Sequence, residues 1–299
     1  MITSVGSKSF TLSRLWLHMI LGGFSLFILL PMMLVISISL SSESSLRVAG
    51  YALIPAEFSF EAYRYIFLDP MRIVRAYGVS FFVTVTGTAL GLWVTTSFAY
   101  ALSRKDFAYR NILSVYIFIT MIFSGGLVPF YIMMTQWLNL TDSLLAIILP
   151  AVIGAWNVFL MRGFLATLPS SVIESAKIDG AGELMIFVKI VLPMSKAALA
   201  TVGLFIALNY WNDWFGPLLF IRSQENFPLQ FLLHRIMSHA AAIRDIALMR
   251  PELAIGIADV PTLSARMAMA VIAAGPMLVA FAFLQKYFVK GIHLGSVKG

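Results

Sequence analysis

The segment from Glu174 to Pro193 reads ESAKIDGAGELMIFVKIVLP and separates two long apolar parts of the chain. Gly180 and Gly182 follow Asp179 directly, so the sequence predicts two short helical runs joined by a sharp turn. Three carboxylates and two lysines make this the longest charged insert between segments as apolar as membrane spans. Two questions about this segment therefore decide how the fold is interpreted: which side of a membrane it occupies, and what covers it.

The composition is that of a membrane protein. Of 299 residues, 60% are hydrophobic and 12% are charged, whereas a soluble domain has about 25% charged residues. Cysteine is absent, which excludes disulfides, thiol nucleophiles and thiolate metal sites. The net charge of +7 is typical of basic residues that face anionic lipid, so we expect no nucleic-acid partner.

Six apolar stretches are long enough to cross a bilayer, which takes about 20 residues. They cover residues 15–40, 79–102, 112–136, 143–165, 197–221 and 265–288. The first is longer than the core of a signal peptide and is predicted to remain as a span. The third contains Gly125, Gly126 and Pro129, which predict a bend. No repeat or change in composition divides the chain, so residues 1–299 are predicted to form one all-α membrane domain.

The distribution of the lysines indicates how the predicted spans are oriented in the membrane. With six spans, both termini lie on one side together with residues 103–110 and 166–196. All eight lysines fall on that side: Lys8, Lys105, Lys177, Lys189, Lys196, Lys286, Lys290 and Lys298. By the positive-inside rule this side is the cytoplasm. The outer loops 41–78 and 222–264 are then either binding surfaces or lids on the helix ends, and residues 228–237 have the pattern of a short amphipathic helix.

The polar residues form no catalytic or metal site. His234 and His239 are five residues apart, which separates them by about 140° on a helix, so they do not form a metal-binding pair. Ser124 lies at the predicted bend, but no histidine lies at the same depth in another span to activate it. The Gly-x-x-x-x-Gly-Lys pattern of a phosphate-binding loop is absent. We therefore expect a protein that is not an enzyme and that holds no metal or cofactor of its own.

Polar side chains inside the predicted spans are candidates for a solute pathway, because they are costly in lipid. The candidates are Asn157 in the fourth span and Asn209, Trp211, Asn212 and Asp213 in the fifth. Aromatic rings beside amides and carboxylates suit sugars, whose apolar faces stack and whose hydroxyls form hydrogen bonds. Trp211 and Asp213 lie near the outer surface, where an interfacial aromatic belt is the favoured alternative. Asn157 approaches the cytoplasmic end, where capping or anchoring of the span is the alternative. Asn209 is deeper and is the stronger candidate.

The apolar side chains of the second helical run in the 174–193 segment indicate that a partner covers it. One helical stripe of apolar side chains comprises Leu184, Phe187, Val188 and Val191. Further apolar side chains off this stripe are Met185, Ile186 and Ile190. A cytosolic helix that is apolar nearly all round must be covered on more than one face, by the membrane domain and by a partner. A helix lying on lipid is the alternative, although anionic lipid would repel the three carboxylates.

The same segment resembles the coupling loop of bacterial ABC importer permeases, in which Glu-Ala-Ala is followed by Asp-Gly-Ala, an apolar run and Leu-Pro. The matching residues are Glu174, Ala176, Asp179, Gly180, Ala181, Phe187, Ile190, Leu192 and Pro193. Two residues depart from the pattern. Ser175 replaces an alanine, and Lys196 stands where a later proline is common.

Other stretches resemble the carbohydrate branch of these permeases, the MalG-like subunits. They are Phe123–Pro129, Trp211–Trp214 and the tail Gln285–Gly299. The tail is most similar to the subgroup that handles larger or acidic oligosaccharides, such as those derived from alginate or pectin. Within the permease family, amino-acid and peptide transporters are the competing class, although their usual outer loops and tails look different.

The resemblance implies a type I importer permease of the cell inner membrane, with six spans and a cytoplasmic coupling loop at about 166–195. It implies a second permease, most simply in a heterodimer, two ATPase subunits that bind ATP and Mg, a solute-binding protein and an oligosaccharide substrate. Glu174 would meet a basic residue of the ATPase, and Phe187 would pack into its groove. Asp179 would fix the turn that Gly180 permits.

Two other functions fit a protein with six spans. A secondary carrier needs buried ion or proton sites and usually more spans or an inverted repeat, whereas the acids of this chain lie in the loops. A structural or signalling membrane subunit would not need polar pathway side chains such as Asn209.

Overall fold

The computed structural model describes residues 12–249 and 262–296. Within these ranges the chain is helical apart from loops, turns and one isolated antiparallel bridge between Ser41 and Phe58. The all-α prediction is confirmed there. Parts of three predicted features lie outside the described residues: the N-terminus before residue 12, residues 250–261 of the second outer loop, and the last three residues of the tail.

The helices follow one another in fifteen numbered elements within the described ranges. The first four are α1 (Leu12–Ser39), α2 (Glu43–Ala49), α3 (Glu61–Ile66) and α4 (Pro70–Ser103). Next come α5 (Arg110–Ile122), α6 (Leu127–Ile132), α7 (Leu145–Ile148) and α8 (Ala155–Leu165). They are followed by α9 (Ser170–Ile178), α10 (Glu183–Ile186), α11 (Leu192–Met194), α12 (Lys196–Asn212), α13 (Phe215–Phe220), α14 (Leu229–Met249) and α15 (Leu263–Ser296). Turns of π-helix extend α6 over Met133–Trp137 and join α10 to α11 over Phe187–Val191.

Up to six membrane crossings are present among the described residues by length and composition. Three uninterrupted helices qualify, within α1, α4 and α15. Three bent pairs of helices also qualify, with angles of 110° after α5, 47° before α8 and 85° before α12. The number agrees with the six predicted spans if each bent pair is one span. The third bent pair takes Glu183–Met194 with α12, whereas the sequence placed the fifth span at 197–221.

Local sequence explains two of the helix boundaries. α4 begins at Pro70 instead of 79, because the Asp69 carboxylate accepts a hydrogen bond from the Arg72 N–H at 3.2 Å and proline suits the first helical position. The predicted bend in the third span is confirmed. Gly126 has φ of +86° between α5 and α6, a conformation that glycine adopts without steric cost.

The described residues group into two compact units. The smaller unit contains residues 12–68, 239–249 and 262–272, and the larger unit contains residues 69–238 and 273–296. The hairpin-forming segment 174–193 lies in the larger unit.

The Glu43 carboxylate organises the smaller unit. It accepts hydrogen bonds from the N–H groups of Leu263 and Ser264, both at 3.1 Å, and from the hydroxyls of Thr262 (2.9 Å) and Ser264 (3.0 Å). These N–H groups belong to the first turn of α15, where the helix dipole also favours negative charge. Burial raises the pKa of Glu43, but the hydrogen bonds outweigh burial and hold that pKa below its usual value. Glu43 therefore caps α15 in its ionised form.

The core of the larger unit is built on α4, which packs against α12, α8 and α5. Gly87 of α4 allows the closest approach, since a Cβ there would lie 2.5 Å from the ring of Tyr210. Tyr210 is buried, and its hydroxyl donates a hydrogen bond to the Ile148 carbonyl at 2.7 Å. One turn further, a Cβ at Gly91 would lie 3.3 Å from Ile206. Small residues of this kind let helices approach closely inside a membrane.

Gly87→Ala is expected to lower the free energy of unfolding by about 1–3 kcal/mol, the usual cost of overpacking, because the buried Tyr210 ring is held by its bond to Ile148. Gly78→Ala is the matched control, since it lies on the same helix and a Cβ there would meet nothing within 4 Å. Thermal unfolding of the detergent-solubilised chain compares them. Equal stability of the two variants would contradict the close α4–α12 contact.

Candidate functional site

The α9–α10 hairpin, residues 170–194, reverses at Gly180. The Ala181 N–H donates to the Ala176 carbonyl at 2.9 Å, and the Gly180 N–H donates to the Lys177 carbonyl at 3.0 Å. This pair of bonds is the Schellman pattern that ends many helices. Gly180 has φ of +79°, in the left-handed region where a side chain is strained. The predicted reversal at this glycine is therefore observed.

The second arm of the hairpin turns apolar side chains both inward and outward. Ile186, Phe187 and Val191 are buried, whereas Leu184 and Val188 are exposed. The predicted stripe is therefore wrong, because two of its members face outward. The arm buries the side that carries Phe187, whose ring packs on Trp93 and Tyr100 of α4, and this leaves Leu184 and Val188 on the outside. The prediction that the arm is apolar on more than one face is confirmed.

Phe187 lies against α4. Its ring centroid is 5.7 Å from that of Trp93 and 5.3 Å from that of Tyr100. Only 4% of Phe187 is exposed, which corrects the expectation that this side chain packs into a partner's groove. The apolar side chains that the hairpin presents outward instead include Ile178, Leu184 and Met185, which are 86%, 71% and 50% exposed.

The other predicted coupling residues lie on both faces of the hairpin. The exposed ones are Glu174, Asp179 and Pro193, and the buried or half-buried ones are Ala176, Ala181 and Leu192. Asp179 contributes to the turn through its backbone N–H, which donates to the Ser175 carbonyl at 3.0 Å. Its carboxylate is exposed, so the observed turn is held by backbone hydrogen bonds and by the left-handed glycine.

Four charged side chains connect the hairpin to the end of α4, and the sequence did not predict this connection. Lys177 Nζ lies 2.8 Å from Asp106 Oδ2 and 2.7 Å from Glu183 Oε1. Arg104 donates to both Asp106 oxygens, at 3.0 and 2.7 Å, and its Nη2 lies 3.8 Å from Glu183 Oε1. Each cation thus contacts both carboxylates, in a closed arrangement that we call the charge ring. Tyr100 of α4 adds a hydrogen bond from its hydroxyl to Glu183 Oε2 at 2.8 Å.

The charge ring keeps its members ionised. Hydrogen bonds from Arg104 and Lys177 hold the pKa of Asp106 well below its usual value. The bond from Lys177 lowers the pKa of Glu183, and the bonds to Asp106 and Glu183 raise the pKa of Lys177. Lowered carboxylate pKa values stabilise the native state above about pH 4, and a raised lysine pKa stabilises it below about pH 10. The ring is therefore complete across the physiological range.

Two of the predicted pathway residues make hydrogen bonds that give them a structural role. Trp211 is buried, and its indole N–H donates to the Ala273 carbonyl at 3.0 Å. Asp213 Oδ1 accepts hydrogen bonds from the N–H groups of Phe215 and Gly216, at 3.1 and 2.9 Å. Asp213 thus caps α13. The hydrogen bond of Trp211 connects α12 to α15.

The three predicted asparagines differ in exposure. Asn209 and Asn212 are exposed and stand three residues apart on α12, so they share a face of that helix. Asn212 Oδ1 accepts a hydrogen bond of 3.4 Å from Gln230. Asn157 is half-buried in α8.

The predicted amphipathic helix at 228–237 is the beginning of α14, which extends to Met249. Its first N–H, from Leu229, donates to the Ser80 hydroxyl at 2.7 Å. The imidazole of His234 stacks on Trp214 with 4.4 Å between ring centroids. These contacts, which the sequence did not predict, fix the start of α14 against α4 and the end of α12.

Helices of membrane-crossing length, three bent pairs and a charged hairpin anchored on α4 make up the fold of a type I ABC importer permease. The chain belongs to the family of binding-protein-dependent transport system inner membrane components, which matches residues 87–294. The matched region begins at the glycine that contacts Tyr210 and includes the whole hairpin.

Relatives match almost the entire chain. The polygalacturonan/rhamnogalacturonan transport system permease protein YtcP of Bacillus subtilis is 40% identical over 277 residues, covering 92% of this chain and 94% of that protein. The arabinooligosaccharides transport system permease protein AraQ of the same organism is 30% identical and covers 98% of this chain and 99% of its own. A crystal structure of a bacterial ABC transporter involved in the import of the acidic polysaccharide alginate has a TM-score of 0.75 and 28% identity, covering 96% of this chain and 100% of that chain. The resemblance to carbohydrate importer permeases is thus confirmed.

Gly180→Val is expected to loosen the hairpin, because a β-branched residue at φ of +79° is strained by about 1–3 kcal/mol. Gly180→Asn should have a smaller effect, since asparagine tolerates the left-handed region. Gly182→Val is the matched control, because Gly182 has φ of −70° and open space around it. Limited proteolysis within the hairpin measures the effect. Identical cleavage rates for both valine variants would contradict the role of Gly180.

Proposed function

We propose that this chain is a membrane-spanning subunit of an ATP-driven importer that carries an acidic oligosaccharide from an external binding protein into the cytoplasm. The observation that carries the proposal is a whole-length match to permeases named for carbohydrate transport, at up to 40% identity among those cited above. The anchored hairpin with an exposed acidic and apolar surface supports it, because such a surface suits a cytosolic partner.

The proposed assembly contains this chain, a second and different permease, two ATPase subunits, and a solute-binding protein outside. ATP and Mg bind to the ATPase subunits, and this chain supplies no phosphate-binding loop. Both termini and the 166–195 loop lie in the cytoplasm, which the distribution of the lysines supports. Residues 15–33 of α1 are exposed throughout, and we assign this apolar surface to lipid.

The hairpin is proposed to be the part of the chain on which the ATPase acts. Glu174 supplies the contact to a basic residue of the ATPase, and its exposure makes it available. Ile178, Leu184 and Met185 replace Phe187 as the side chains that enter the ATPase groove, because their apolar surface is exposed. Closing and opening of the ATPase pair would then displace the hairpin and the spans attached to it.

The substrate is proposed to be an oligosaccharide of uronic acids. YtcP is named for polygalacturonan/rhamnogalacturonan transport and the structural neighbour for the acidic polysaccharide alginate, and uronic acids are a main component of these polymers. Asn209 and Asn212 are the preferred pathway residues in this chain, since both are exposed on one face of α12. Asn157 is a further candidate. Trp211 and Asp213 contribute indirectly, by holding α12 and α13 in place.

Glu174→Lys is expected to abolish association with the ATPase while the protein still inserts in the membrane, because the substitution places a cation opposite the ATPase's basic residue. Glu61→Lys is the matched control, since it makes the same exchange at an exposed position of the outer loop. Co-purification of the ATPase and substrate-stimulated ATP hydrolysis are the measurements. Normal association and hydrolysis in Glu174→Lys would sink the proposed coupling role.

The substrate class is tested on the binding protein that delivers solute to this permease. Thermal shift is measured with oligogalacturonates, alginate oligosaccharides and neutral arabino-oligosaccharides, and uptake into cells that lack this chain is measured with the same sugars. Stabilisation by the uronic acid sugars, together with loss of their uptake, is the expected result. Stabilisation by neutral sugars alone removes the acidic assignment, and a response only to amino acids or peptides overturns carbohydrate transport.

A further inference from the structure

The hairpin is attached to the membrane core by two independent routes. The first is covalent, because α11 ends at Met194 and α12 begins at Lys196. The second is through space, because the charge ring joins Lys177 and Glu183 of the hairpin to Arg104 and Asp106 beyond the end of α4. A displacement of the hairpin therefore has a separate path to α12 and to α4.

The through-space route has a polar layer and an apolar layer. In the polar layer, each cation of the ring contacts both carboxylates, and the Tyr100 hydroxyl bonds Glu183 from α4. In the apolar layer, the buried Phe187 ring packs on Trp93 and Tyr100. The α4-side residues of the two layers lie between residues 93 and 106. The hairpin therefore contacts the last turns of α4 and the loop that follows.

The exposure of the charge ring indicates that the ring contributes little to stability and acts mainly by fixing geometry. About half of each carboxylate side chain is exposed, and isolated ion pairs at such positions contribute little to stability. A closed ring differs from a single pair, because moving one member breaks two contacts at once. The Arg104 side chain is only 17% exposed, and it binds Asp106 in bidentate geometry, which fixes direction as well as distance. The ring is therefore suited to fix the orientation of the hairpin relative to α4.

We infer that the charge ring makes α4 follow the hairpin during the transport cycle, so that ATP-driven movement reaches α4 as well as α12. Lys177 and Glu183 are positioning residues in this inference, because they act through Arg104, Asp106 and α4. The inference rests on the proposed function, since it presupposes that an ATPase moves the hairpin. Without the ring, only the apolar contacts of Phe187 join the hairpin to α4 directly, and α4 follows the hairpin less closely than α12 does.

The absence of cysteine from the chain allows each helix to be followed separately. Val74→Cys reports on the outer end of α4, and Leu218→Cys reports on α13, which follows α12 directly in the chain. Both native side chains are exposed. The complete complex with its ATPase subunits is placed in lipid nanodiscs. The rate of modification by a polar maleimide is then measured with and without ATP and vanadate.

Both positions should respond to ATP and vanadate in the otherwise unaltered chain. Lys177→Met should reduce the response at Val74→Cys and keep the response at Leu218→Cys, because it removes the contacts of Lys177 with Asp106 and Glu183 in the polar layer of the route to α4. Lys177→Arg should restore the response at Val74→Cys, since the cation returns. Lys189→Met, which removes an exposed lysine of the same hairpin outside the ring, should leave both responses intact.

The outcomes separate the inference from the function on which it rests. No response at either position in the otherwise unaltered chain counts against ATP-driven movement and hence against the proposed function. A response at Leu218→Cys alone in that chain, or an undiminished response at Val74→Cys in Lys177→Met, overturns the inference and leaves the function standing. Loss of both responses in Lys177→Met would assign the ring to assembly and would likewise overturn the inference.

Discussion

Tyr210 fills the space that a side chain at Gly87 would need, and the membrane core of the larger unit depends on this contact. Apolar side chains gain little by exchanging lipid for protein, so helices in a membrane associate through close packing and hydrogen bonds. Tyr210 supplies both, because its ring lies on α4 and its hydroxyl bonds the carbonyl at the end of α7. One side chain of α12 thus holds an unbroken helix and a bent pair together.

The same two helices carry the hairpin. α4 continues beyond the core to Ser103, where the charge ring begins, and α12 starts directly after the hairpin ends. The tightest packing in the core therefore lies between the two helices to which the hairpin is attached. The fold in this way joins the hairpin to helices that are long and apolar enough to cross a membrane.

Much of this architecture could be predicted from sequence, because lipid restricts what the chain can do. Backbone groups in a bilayer must bond within the chain, so long apolar runs become helices, and Gly180 marks the reversal since few other residues adopt its conformation. The charge ring could not be predicted, because Lys177 and Asp106 are 71 residues apart in the chain and no local pattern links them. The direction of Phe187 was missed for a different reason. The expectation that it enters a partner's groove came from the family resemblance, and no local pattern shows that Trp93 and Tyr100 of α4 cover this ring.

Glu43 reaches the first turn of α15 across 220 residues of chain. A ribosome must therefore make almost the whole protein before this carboxylate has its hydrogen-bond donors. During that time the Glu43 carboxylate has its neighbour Arg47 at hand, but its hydrogen-bond donors on α15 do not yet exist. The loop that leaves the ribosome first cannot reach its final structure until the last helix has emerged, so the order in which the segments enter the membrane differs from the order in which they finish folding.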